Sequence, residues 1–208
     1  MFDGAGCQHG SVPSHRIVLA SASPARLGLL RAAGLDPQVE VSGADEDDAD
    51  PRDPDGMVAL LARRKATAVA SRLSEGVVIG ADSALSLDGL ALGKPHTAAA
   101  ANARWREQRG RSGVLLTGHH VIDLGSGREV SAVAKTLVHF ADLDDDDIAA
   151  YVATGEPLEV AGAFTLDGYG AAFIERVEGD ASNVIGLSLP LLRHLLAEIG
   201  IQWRTLWR

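Results

Sequence analysis

The run Val77-Val78-Ile79-Gly80-Ala81, followed at once by Asp82, constrains the fold more than any other segment of the chain. Five consecutive residues without a polar side chain describe a strand buried on both faces, and such a strand needs further structure above and below it. Downstream, Asp88-Gly89 separates the short apolar segments 84–87 and 90–92, a strong signal for a two-residue hairpin. Further strands are expected at 17–20, 39–42, 114–124, 130–140 and 171–177. Helices are expected at 24–33, 54–73, 97–108, 144–154 and 187–199, the first with Ser23 as N-cap and Pro24 in its first turn. Strands that alternate with helices and also form hairpins indicate an α/β fold built on a mixed, twisted sheet.

A length of 208 residues suits one domain with a substantial core, and an apolar fraction of 46% is that of an ordinary globular chain. The formal net charge of −9 argues against nucleic acid or an anionic membrane as the main partner. It leaves an anionic small ligand open, because a few cations and a metal invert the field inside a cleft. The single cysteine, Cys7, allows no intrachain disulfide, which fits a reducing compartment and a cytoplasmic location. No apolar run approaches the ~18 residues of a membrane span. Residues 1–15 lack the basic start and apolar stretch of a signal peptide and read as a disordered extension, leaving 16–208 as the domain.

Three local patterns carry chemistry. Ser21-Ala22-Ser23-Pro24-Ala25-Arg26 joins a strand to a helix, where free backbone N–H groups, two hydroxyls and a guanidinium suit phosphate; an ordinary N-cap with a solvated arginine is the plainer reading. Lys65 falls in the inward stripe of its helix, so it either snorkels to an edge or points into a polar cleft. Asp82 is read as the carboxyl end of its strand, where an acid is well placed to bind metal or activate water. In an ideal hairpin register Lys94 lies opposite Ser83, beside Asp82, as an ion-pair partner or part of a phosphate and metal site. Arginine supplies most of the positive charge, and Lys65, Lys94 and Lys135 are the only lysines. His119 and His120 are adjacent on a strand and point to opposite faces, which disfavours a shared metal. The run Asp144–Asp147 reads as a helix start favoured by the dipole.

Several of these segments, in order, resemble the Maf family of septum formation inhibitor proteins. The residues are Leu19-Ala20-Ser21-Ala22-Ser23-Pro24-Ala25-Arg26, Leu61-Ala62-Arg63-Arg64-Lys65-Ala66, Gly80-Ala81-Asp82-Ser83 and Leu92-Gly93-Lys94-Pro95. They continue with Gly155-Glu156-Pro157, Ala161-Gly162-Ala163-Phe164, Gly168-Tyr169-Gly170 and Asn183-Val184-Ile185-Gly186-Leu187. The Arg-rich composition is similar to that of actinobacterial members. The resemblance implies a two-lobed fold shared with inosine triphosphate pyrophosphatases, with a central cleft. It also implies hydrolysis of nucleoside triphosphates to monophosphate and pyrophosphate, a divalent cation (Mg2+ or Mn2+), cytoplasmic location and a homodimer. A nucleotide-binding regulator of septum formation with little turnover is the alternative.

Carried over residue by residue, Asp82 is the proton acceptor, Glu46 assists with metal or water, and both are metal ligands. Lys65, Lys94, Ser21, Ser23 and Arg26 bind phosphates, and Ser83 and Asp167 lie at substrate-binding positions. Ala25, Ser83 and Asp167 depart from the Arg, Thr and Gln of the pyrimidine-preferring branch, and Val160 stands where many members have Lys, so base preference does not carry over.

Overall fold

The computed structural model describes residues 15–46 and 48–208. The extension expected over residues 1–15 therefore falls, except for His15, outside the described residues. The sheet is organised on β3, Val77–Leu87, whose long antiparallel partner is β5, Ser112–Asp123. That pairing extends from Val77↔Asp123 to Ser86↔Val114 and occupies one edge of β3 throughout. The other two neighbours share the opposite edge. β1, Ile17–Leu19, pairs in parallel with Val77–Ile79, and β4, Leu90–Leu92, pairs antiparallel with Leu85–Leu87. Among the described residues no strand pairs with Gly80–Ala84 on that edge, and the sheet carries a notch there. β2, Gln38–Val39, lies beside β1, while β6, Arg128–Phe140, and β7, Ile174–Glu178, extend the far side. The spatial order is β2-β1-β3-β5-β6-β7, seven strands with β4, parallel in one part and antiparallel in another.

Helix α2, Pro54–Ala70, lies on one face of the sheet at backbone-contact distance. A Cβ at Gly80 would sit 2.3 Å from the Ala62 carbonyl oxygen, and one at Gly118 would sit 2.1 Å from that of Val58. Glycine at both positions lets α2 settle onto β3 and β5 where any side chain would lift it off. Gly118 is the β5 partner of Asp82, so the helix descends beside the candidate carboxylate.

The opposite face carries two apolar clusters. The first joins Leu19, Ile79 and Val121 to Leu30 of α1, Pro24–Ala32, and to Leu192, Leu195 and Leu196 of α6, Leu189–Glu198. The second joins Leu85, Leu115, Val138 and Phe140 to Trp105 of α3, Ala98–Gln108, and Ile148 and Tyr151 of α4, Asp145–Ala153. Trp105 is fully buried there, edge-on to Phe140, Tyr151 and Phe173. Arg26, Ser83, Thr117 and Asn183 form a polar band between these clusters. The two clusters are the cores of two lobes, and the band lies between them.

The hairpin register matches expectation, with Asp88 and Gly89 both at positive φ as a tight two-residue turn requires. One correction concerns Asp82: β3 does not end there but continues five residues further. Polar side chains can occupy the middle of this strand because each is matched, Asp82 by Lys65 on the α2 face and Ser83 by Arg26 and Thr117 on the other. What does end near Asp82 is the parallel pairing with β1. The short helix α5, Ala181–Ile185, was not anticipated, and β7 begins later than expected because Tyr169–Phe173 coil into a 3-10 turn.

Two alanine substitutions separate close packing from open helix surface. Gly118→Ala should destabilise by about 1–3 kcal/mol or more, since the clash is with rigid backbone. Gly28→Ala, in α1 with nothing within 4 Å of the added carbon, should stabilise by about 0.5–1 kcal/mol. Urea unfolding midpoints check both.

Candidate active site at the notch in the sheet

The Lys65 ammonium lies between two carboxylates, 2.6 Å from Asp82 Oδ1 and 2.7 Å from Glu46 Oε1. The polar-cleft alternative for Lys65 is therefore the observed one. The lysine rises from α2, which the two glycine contacts hold against the sheet. Glu46 arrives on the loop after β2, which Arg64 clasps through the Asp45 carbonyl at 3.3 Å and the Asp48 carboxylate at 2.9 Å. Asp82 is only 9% exposed, and burial pushes its carboxyl above the usual range although Lys65 and Arg26 both oppose this. A carboxylate held in this way is a better proton acceptor than an exposed one.

Arg26 is buried, and its donors reach across the polar band. Nε donates to the Gly186 carbonyl at 2.7 Å, Nη1 to Ser21 Oγ at 3.0 Å and Nη2 to Ser83 Oγ at 2.9 Å. Every one of these acceptors is neutral. Burial lowers the guanidinium's pKa, and the charges of Asp82 and Glu46 act against that. A buried cation that donates to no anion among the described residues, beside an N-terminal helix turn capped by Ser23, is an electrostatic setting that favours an incoming anion. Ser21, Ser23, Arg26 and Ser83 are thus brought together, and Lys65, Asp82 and Glu46 form a second group on the other face of β3.

Lys94 and Asp167 stand apart from both groups. Lys94 follows β4 as that strand runs toward the notch, half-exposed, with its ammonium 3.9 Å from Glu159. The preceding Gly93 carbonyl is fixed by the Gly162 N–H at 3.3 Å and by Arg104. Asp167 is exposed at the tip of a loop suspended from Glu156. One Glu156 oxygen accepts from the Tyr151 hydroxyl at 3.0 Å, the Gly170 N–H at 2.9 Å and Thr165, and the other from the Tyr169 N–H at 2.9 Å. Burial opposes ionisation of Glu156, but these hydrogen bonds outweigh it and hold the carboxyl below the usual range.

Glu46 and Asp82 offer hard oxygens on either side of one lysine, a donor set that suits a small divalent cation when phosphate oxygens complete the shell. Among the described residues no group of three His, Cys, Asp or Glu stands together as a cation cage. The two histidines do diverge. His119 faces α6, and His120 lies 3.5 Å from Glu129 with its Nδ1 on Ser131. Thr117 and Arg104 were not singled out from sequence, while His119 was read only for its divergence from His120 and Glu156 only as part of a motif. The one signal for Thr117 was polarity in the middle of an apolar strand.

A family profile described as Maf-like protein matches residues 16–199. A nucleoside triphosphate pyrophosphatase of Streptomyces coelicolor is 58% identical over 197 residues, covering 94% of this chain and 96% of its own. One from Streptomyces avermitilis is 55% identical with the same coverage, and one from Salinispora tropica is 55% identical over 95% of this chain and 89% of its own. No helix among the described residues is long and apolar enough to cross a membrane.

His119 sets a pH limit on this arrangement. Its Nε2 accepts from the Ser188 N–H at 2.9 Å, so the ring hydrogen is on Nδ1, donated to the Thr117 carbonyl at 3.0 Å. Burial drives its pKa down to about 4 from 6.5, and the Arg26 charge adds to this. Between those values the unfolded chain binds the proton and the folded one does not, so stability is full above pH 6.5 and falls as pH approaches about 4. The loss attributable to His119 should reach about 3 kcal/mol. Unfolding midpoints of wild type and His119→Gln over this range check it, with a flatter acid limb expected for the variant.

Proposed function

We propose the reaction from a premise now in hand: this chain belongs to the Maf-like protein family. It hydrolyses nucleoside triphosphates to nucleoside monophosphate and pyrophosphate. The observation that carries the reading is the pair of carboxylates on one part-buried ammonium at the sheet notch, beside a buried guanidinium whose hydrogen-bond acceptors among the described residues are all neutral. In the reaction the oxygen of water bonds to the α-phosphorus and the bridge to the β-phosphate breaks. Asp82 takes the proton from that water. Lys65, Lys94, Arg26 and the Ser21–Ser23 turn oppose the triphosphate charge. Glu46 and Asp82 would hold Mg2+ or Mn2+, whose charge neutralises phosphate oxygens and polarises water. Phosphate oxygens that compete for Lys65 would loosen its ion pairs and leave Asp82 free to take that proton. The protein works in the cytoplasm as a homodimer.

Asp82→Asn should fold normally and lose about 10²-fold or more in turnover, the usual scale for a general base. Release of pyrophosphate from triphosphates with and without added Mg2+ or Mn2+ measures this. Tight nucleotide binding without turnover in the wild type would favour the septum regulator instead. Lys65→Ala should weaken substrate binding or turnover roughly tenfold or more, as loss of a charge-assisted phosphate contact does. An effect confined to thermal stability would mean that the lysine is structural.

Base selection follows from Asp167 and Ser83. An ionised Asp167 only accepts hydrogen bonds, and guanine offers N1–H and an exocyclic amine where uracil and thymine offer N3–H alone. Guanine-type nucleotides should therefore exceed dTTP and UTP in kcat/KM by about ten- to a hundredfold, the worth of a mispaired polar group. A kcat/KM series over dTTP, UTP, CTP, GTP and 7-methyl-GTP checks this, and a preference for dTTP or UTP rejects it.

A further inference from the structure

Ser83 is partly exposed in the polar band, but its hydroxyl is connected inward. Its oxygen accepts from Arg26 Nη2 at 2.9 Å and lies 2.9 Å from Thr117 Oγ1. Thr117 is completely buried and has one hydrogen; the Asn183 carbonyl lies 3.3 Å from its Oγ1, and in the Ser83–Thr117 pair either hydroxyl could donate to the other. When the Thr117 hydrogen goes to that carbonyl, Thr117 Oγ1 is left to accept and the hydrogen between the two hydroxyls is that of Ser83. The order of donation is then Arg26 to Ser83, Ser83 to Thr117, and Thr117 to the Asn183 backbone. Asn183 is itself anchored, its amide donating to Leu115 O at 3.1 Å and Thr136 Oγ1 at 3.0 Å. With its hydrogen turned inward, Ser83 has only a lone pair left for the cleft.

We propose that Thr117 is a positioning residue for selectivity: it fixes Ser83 as a hydrogen-bond acceptor, so that the cleft favours a base edge bearing N–H groups over one bearing carbonyls. Thr117 touches no substrate and acts wholly through Ser83. The inference rests on the nucleotide pyrophosphatase reading and deepens it, and it is separate from the role of Asp167. Removing the Thr117 hydroxyl frees the Ser83 hydrogen to turn outward and pair with a carbonyl. The Asn183 carbonyl keeps its bond from the Gly186 N–H at 3.0 Å, so the loss leaves no buried carbonyl without a partner.

The test is the ratio of kcat/KM for GTP over UTP, compared among variants. Thr117→Val, which keeps the shape, should lower that ratio about tenfold, the worth of one correctly paired polar group. The change should appear mainly in KM, with kcat little altered. Thr117→Ser, which keeps the hydroxyl, should restore the ratio, and Thr117→Ala provides a second hydroxyl-free variant should the valine disturb folding. In a Ser83→Ala background, Thr117→Val should change the ratio no further. An unchanged ratio in folded Thr117→Val and Thr117→Ala overturns the inference while leaving pyrophosphatase activity standing. A ratio lost equally in Thr117→Ser overturns it in favour of simple packing. A wild type that releases no pyrophosphate overturns the functional reading, and this inference with it.

Discussion

The seating of α2 on the sheet is the constraint from which the site follows. Where Val58 and Ala62 carbonyls touch the backbone at Gly118 and Gly80, helix and strands meet with no side chain between them. That contact sets the height of Lys65 over Asp82, and a lysine anchored at this depth reaches both Asp82 and Glu46 without extending into solvent. An ion pair so enclosed contributes less to net stability than its distances suggest, because desolvating the charges offsets much of their attraction. Its worth lies in readiness, since an arriving cation or phosphate meets charges whose positions are already fixed.

The notch gives those charges access. A sheet with β1 paired along the whole edge of β3 would cover Asp82 and Ser83 with a neighbouring strand. Here β1 stops at Ile79 and β4 reaches only to Leu85, and no described strand pairs with the edge between them, where Ser83 is partly exposed. The rule that α/β ligands gather beyond the carboxyl ends of parallel strands therefore holds in altered form. The relevant end is that of β1, with the Ser21–Arg26 turn immediately after it, while β3 runs on into the second lobe.

Features set by near neighbours were legible in the sequence. Asp88-Gly89 specified its hairpin, Ser23 caps the helix it precedes, and the run from Asp144 opens its own. The break read at Asp82 failed because its resolution is non-local: an aspartate can sit mid-strand only if something like Lys65, far along the chain, meets it. Gly80 and Gly118 are contact points for a helix, which the strand pattern around them does not reveal. Lys65, Asp82 and Glu46 were visible as a set through their resemblance to known motifs. Thr117 was not, since a buried threonine in a strand looks like any β-branched residue until its partners are known.

The alternation of β3 has a further consequence. Asp82 and Ser83 are consecutive, yet the first belongs to the α2 face and the second to the band between the lobes. On the proposed reading, the proton acceptor and the base-reading hydroxyl take their hydrogen-bond partners from separate surroundings, although the Arg26 charge reaches both. A change confined to the hydrogen-bond partners of Ser83 then leaves the ion pair that holds Asp82 in place. On that reading, one strand carries two faces whose side chains can be varied in turn.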